Sequence, residues 1–79
     1  MNINIVNHLR NAGSDGLTWK ELSDITGAHH GVTSGSLSNA HRDYQIARLA
    51  QKRGGSRIYV LPEFVGDRTT EPHKQHITV

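Results

Sequence analysis

Six histidines and seven carboxylates are the groups of this 79-residue chain that could do chemistry, and it has no cysteine. A zinc site normally needs four ligands at a readable spacing, and without thiolates these would have to be imidazoles with carboxylates. His29, His30 and His41 fall in one stretch, but neighbouring side chains such as His29 and His30 point in different directions on a helix, so no ligand grid forms. His73 and His76 read as exposed polar residues. The carboxylates are scattered, with no nucleophile elbow, no phosphate loop and no paired acids. The expectation is therefore no enzyme, no metal, no cofactor and no small-molecule substrate.

Electrostatics offers more. The net charge is only +2, yet between Arg42 and Ile58 stand five basic residues (Arg42, Arg48, Lys52, Arg53 and Arg57) against one acid, Asp43. Residues 1–41 hold two basic and three acidic residues. Positive charge gathered in one stretch is what a surface meeting phosphates requires. The plainer reading is that these cations solubilise a hairpin.

The elements that must position these groups follow from periodicity. Ile5, Leu9 and Ala12 lie at i, i+4 and i+7, with Asn2 and Asn4 as capping candidates and Gly13 as a stop, which predicts a short amphipathic helix. A turn, Gly13-Ser14-Asp15-Gly16, follows. Thr18 and Glu21 then have the spacing of a capping box, so a second helix should start at Thr18. It should run to about Thr26, with Leu22 and Ile25 as its apolar edge and Gly27 as a left-handed stop. A third helix is predicted from the stripe Thr33, Leu37, Ala40 and Tyr44. Its opposite side carries Gly31, Ser34, Gly35, Ser38, Asn39 and Arg42. That side is small, polar and nearly uncharged, whereas solvated faces are usually rich in Glu, Lys and Arg, so something large should approach it.

From Ile46 the pattern becomes that of a β-hairpin with a basic tip, reversed at Gly54-Gly55 and closed by Pro62. Both alternations of its strands are partly apolar, which leaves their inward faces open. With 34% hydrophobic and 5% aromatic residues there is material for one small core and no second domain. No apolar run approaches the roughly 20 residues of a spanning helix, and the N-terminus has no basic segment leading into an apolar one. The cytoplasm where it is made is the expected location.

One helix, then two short helices joined by a glycine-containing turn, then a hairpin is the order of an α+β winged helix-turn-helix. The run Leu17-Thr18-Trp19-Lys20-Glu21-Leu22-Ser23-Asp24-Ile25-Thr26-Gly27, continued by Val32-Thr33-Ser34-Gly35-Ser36-Leu37-Ser38-Asn39-Ala40-His41-Arg42-Asp43, resembles the small winged-helix proteins of actinobacterial bacteriophages. The likeness spans residues 5–64. It implies that the third helix reads DNA and that the wing touches the backbone. Two positions depart from the pattern. His29 stands where a capping Ser is usual, and Thr33 where a buried Val is usual, with Val32 displaced outward.

On this reading Gly35, with Gly31, lets the third helix approach the duplex, and Ser34, Ser38 and Asn39 can meet base edges. Asn39 and Arg42 rank highest, since Asn to adenine and Arg to guanine are the informative pairings. Alternatively they sit at the far end of the helix and touch phosphate or nothing. Val32 could meet a thymine methyl, and His30 is counted with this face. Thr18 and Lys20 would hold a phosphate at the start of the second helix, or Thr18 is simply a cap. Lys52, Arg53 and Arg57, with Ser56, would straddle the backbone at the wing. Trp19 and Phe64 read as core or interface anchors.

The domain is expected over residues 1–65, with residues 66–79 as a mobile tail. Ile77-Thr78-Val79 could instead add to a hairpin edge of a second copy. The implied function is sequence-specific binding of double-stranded DNA by a phage-type transcription regulator or recombination accessory factor. One module buries only on the order of 600 to 1,000 Å² on DNA, so a homodimer or cooperative assembly is expected. The alternative is a protein-interaction module that docks a host or phage protein.

Overall fold

The computed structural model describes residues 4–71. Helix α1 (Ile5–Ala12) is capped by Asn4, whose side chain accepts from the Asn7 amide, and ends at Gly13. A 3-10 turn (Gly13–Asp15) leads through Gly16 to helix α2 (Trp19–Thr26), then come α3 (His30–Arg42), strand β1 (Ala47–Arg53), strand β2 (Ser56–Val60) and a second 3-10 turn, Pro62–Phe64. Three helices followed by an antiparallel hairpin make a winged-helix-like α+β layout. No helix among the described residues is long and apolar enough to cross a membrane.

The capping box expected at the start of α2 is complete. The Thr18 hydroxyl accepts from the Glu21 amide, and the Glu21 carboxylate accepts from the Thr18 amide. Ile25, expected on the apolar edge, is 57% exposed instead. At 100° per residue, the inward face of α2 is centred on Trp19, Leu22 and Thr26, and Ile25 falls well off that centre.

Helix α3 buries Thr33, Leu37, Ala40 and His41. Tyr44, expected as the next member of the stripe, lies outside the helix and is 50% exposed. Its φ of 65° reverses the chain. The Tyr44 amide donates to the His41 carbonyl and the Gln45 amide to the Ala40 carbonyl, the paired bonds of a Schellman ending. A tyrosine is a costly occupant of that left-handed position, by about 1 kcal/mol. Ile46, just beyond the reversal, fills the core in its place.

Thr33 is fully buried without an unsatisfied hydroxyl. It donates to the His30 carbonyl at 2.9 Å, which leaves its oxygen to accept from Ser23 of α2 at 2.9 Å. This hydrogen bond ties the two helices of the motif together where a valine would only pack.

The hairpin turns through Gly54 and Gly55 at φ 62° and 81°, the I′ geometry that suits the twist of paired strands. Register shifts along β1: Arg48 faces Tyr59 and Lys52 faces Arg57, so Leu49, Ala50 and Gln51 stand opposite Ile58 alone. On the outer edge of β2, Leu17 and Tyr59 exchange two backbone hydrogen bonds of 2.9 Å. Gly16 makes this approach possible. At φ 65° and ψ −170° it occupies a region open essentially to glycine, and a Cβ there would strike the Tyr59 carbonyl and the Val60 side chain.

Both faces of the hairpin are covered. Tyr59 packs with Ile5, Leu9, Leu17, Leu22 and Leu37 in the main core, whereas Ala47, Leu49, Ile58 and Val60 form a second cluster under Phe64 and Val65. Arg68 fastens that cover by donating to the Val65 and Phe64 carbonyls.

Composition assigned everything from residue 66 onward to a mobile tail, yet residues 69–71 run along the free edge of β1. The Ala50 amide donates to Thr69 and the Glu71 amide to Arg48, at 2.9 and 2.8 Å. The reason is the open hydrogen-bonding edge of β1, which the tail's polar backbone satisfies. Ile77, Thr78 and Val79 lie outside the described residues.

Candidate functional site

The outer face of α3 and the hairpin beside it bring together most of the residues singled out in the sequence. Gly31, Val32, Gly35, Ser38, Asn39 and Arg42 are exposed, and Ser34 is half-buried on the side facing the wing. Nothing lies within 4 Å of the position a Gly35 Cβ would take, so the helix backbone is open to a large partner there. Between α3 and the wing is a recess of about 310 Å³ lined by Ser34, Ser38, Gly55, Ser56 and Arg57, with Trp19 and Tyr59 also contributing. Asn39 borders a different groove, facing Asn4, Ile5 and Val6 of the α1 region. Its carboxamide oxygen accepts from Arg42 at 2.8 Å, so the two favoured base readers are joined to each other in the free protein.

The start of α3 is organised by an imidazole. His29 is the N-cap, and its Nδ1 accepts from the Gly31 amide at 3.1 Å, the service a serine usually performs. The two adjacent histidines do not diverge as expected. His29 lies outside the helix, and its ring centroid is 4.6 Å from that of His30. His30 in turn lies 5.5 Å from Trp19, and Lys20 Nζ lies 5.7 Å from the Trp19 ring. A tier of three rings with an exposed cation thus sits where the first turns of α2 and α3 meet. The residue spacing gave no signal of it, because it depends on how the two helices cross.

Of the two readings of Thr18, the structure displays the cap: it is 3% exposed, and its hydroxyl accepts from the Glu21 amide. Lys20 remains exposed beside it.

The wing differs most from the sequence expectation. Arg53 does not reach outward. Its guanidinium folds back to the Asp15 and Gly16 carbonyls at 3.2 Å and pairs with Glu21 across the start of α2. That pairing, the largest influence on Glu21, holds its carboxyl below the usual range against the opposing effect of burial, with help from the Thr18 amide. Arg57 donates to the bulge carbonyl of Ala50 at 2.7 Å and pairs with Glu71 at 2.9 Å. Lys52 is exposed and has no acidic partner among the described residues. Glu71, which no sequence signal marked, also pairs with Arg48 at 2.9 Å.

Among the described residues no group of three or more His, Cys, Asp or Glu side chains could hold a metal ion. The chain matches no family model, no curated protein and no solved structure significantly.

Proposed function

We propose that this protein binds double-stranded DNA, with α3 entering the major groove and the wing lying along the phosphate backbone. The observation that carries the reading is the contrast between the two sides of α3. Its inner side is anchored by Thr33, Leu37, Ala40 and His41, and its outer side carries the small residues Gly31, Gly35, Ser38 and Asn39 with Arg42, beside an exposed His30 and Val32 in its first turn. A helix about 10 to 12 Å across, side chains included, suits a groove of about 12 Å, and small outer residues let its backbone come near base edges. Ser38, Asn39 and Arg42 are the base readers, Val32 can meet a thymine methyl, and His30 lies at the entering end. Lys20 and Lys52, exposed and without acidic partners among the described residues, supply phosphate contacts.

The resemblance seen in the sequence extends the proposal to a phage-type regulator of transcription or recombination acting in the bacterial cytoplasm. Dimerisation or cooperative assembly would supply the affinity that one small module lacks. The reading requires no cofactor and assigns no catalytic residue.

A second reading has its own support. Ile25 and Val32, on the two helices of the motif, are exposed apolar residues that a protein partner could cover. Titrating a labelled random duplex at increasing salt separates the two. DNA binding through several cations must weaken steeply, with a log–log slope of about −0.9 per phosphate neutralised. Absence of salt-sensitive binding removes the DNA reading and leaves the protein-docking one.

A further inference from the structure

Arg57 stands where two anions can claim it. On one side it lines the recess between α3 and the wing, together with Ser34, Ser38 and Ser56. On the other, its Nε lies 2.9 Å from Glu71 Oε1, the same oxygen that lies 2.9 Å from Arg48 Nε. One carboxylate oxygen therefore serves two guanidinium groups.

Glu71 is brought there by a short strap, residues 68–71, hydrogen-bonded to β1 through the Ala50 and Glu71 amides. Thr69 and Thr70 are exposed, so the strap's outermost attachment is polar and solvent-accessible. The Arg57–Glu71 pair is itself only partly buried, so salt and a competing anion can still reach it, whereas Arg48 is the more buried of the two arginines. A phosphodiester offers guanidinium two oxygens in a matching plane, and the recess adds the hydroxyls of Ser34, Ser38 and Ser56 as neutral donors.

We propose that the strap is a built-in cover for the wing: Glu71 takes the place of a phosphate on Arg57 in the free protein, and a backbone phosphate of duplex DNA displaces it. This rests on the DNA-binding reading and adds a restraint to it. The basic hairpin is partly neutralised by the chain's own carboxylate, which lowers affinity for DNA of any sequence until the strap is released.

The test uses a fluorescent random-sequence duplex of about 20 base pairs, long enough for several phosphate contacts, and compares the full chain with Glu71→Gln, Arg57→Gln and the double variant. Glu71→Gln should bind about fivefold more tightly at low salt, with a salt slope steeper by about one unit. The gain should vanish in the Arg57→Gln background. In the unaltered chain, the Ala50 and Glu71 amides should exchange faster with solvent once duplex is added. If the unaltered chain binds and Glu71→Gln matches it in affinity and slope, the cover is refuted while the DNA reading stands. An equal gain with and without Arg57 also refutes it, as a general charge effect. If neither protein binds the duplex, both readings fall. Should Glu71→Gln fail to fold, amide exchange in the unaltered chain decides alone, and protection retained on DNA overturns the proposal.

Discussion

The outer face of α3 and the tip of the wing are both polar and both exposed, but their side chains are differently employed. On α3 Ser38 and Arg42 are exposed, and the Arg42 guanidinium donates to its neighbour Asn39. On the wing, Arg53 is turned onto Glu21 and two carbonyls, and Arg57 onto Glu71 and the bulge. Counting basic residues in the sequence marks the wing as the charged region and the α3 face as nearly neutral, but it does not show which cations are free. Geometry separates them: the wing's arginines are paired within the chain, whereas Ser38, Asn39 and Arg42 on α3 face solvent. Substitution of Arg53 should therefore appear as a small loss of stability, that of Arg57 as altered backbone binding, and those on α3 as lost recognition.

The most damaging single change lies where the wing joins the helices. Gly16→Ala places a Cβ against the Tyr59 carbonyl in a left-handed backbone, and should cost about 2 to 4 kcal/mol of folding stability. Denaturant unfolding measures it. A loss below about 0.5 kcal/mol, within the range of ordinary surface changes, would show that the Leu17 bridge to β2 is dispensable. At the entrance to α3, His29→Ala removes the imidazole cap and should cost about 1 kcal/mol, whereas His29→Ser should recover most of it. A similar loss in both would mean that contact with the His30 ring, not the cap, is what His29 provides.

Arg53→Ala sharpens the contrast with the smallest effect. The ion pair is exposed, so its removal should cost about 1 kcal/mol or less, with the DNA salt slope left nearly unchanged. Its pH dependence identifies the cause. The Glu21 carboxyl is depressed in the folded protein, so its contribution is present above the unfolded carboxylate pKa and is lost as pH falls through the lower folded value. The stability gap between the unaltered chain and Arg53→Ala should thus be open near neutrality and narrow progressively as pH falls through and below the ordinary carboxylate range. A gap that persists in acid would assign the effect to the carbonyl contacts at Asp15 and Gly16.

Local signals carried most of the fold. The Thr18–Glu21 spacing, Gly27 and Gly54-Gly55 each act within a few residues, and each stands where the sequence predicts. Long-range relations were not legible. The ambiguity of the two strand alternations has a physical source, since helices cover one face and Phe64 with Val65 the other. Ile25 and Tyr44 were misplaced because periodicity cannot tell where a helix turns away from the core or where its reversal begins. The site was legible as a face but not as a network. The pairing of Arg53 with Glu21 spans 32 residues, and the tail containing Glu71 looked idle because its apolar content is low, although an open strand edge needs only backbone.

Selection of preferred duplexes from a random pool, followed by binding of Ser38→Ala and Asn39→Ala to the preferred and a random site, tests the central claim most directly. If α3 reads bases, each variant should lose about 1 to 3 kcal/mol on the preferred site and far less on random DNA. Folding stability should be unchanged, because both side chains are exposed. Equal losses on the two DNAs, or no enrichment of any sequence, would contradict the account and take α3 out of the major groove.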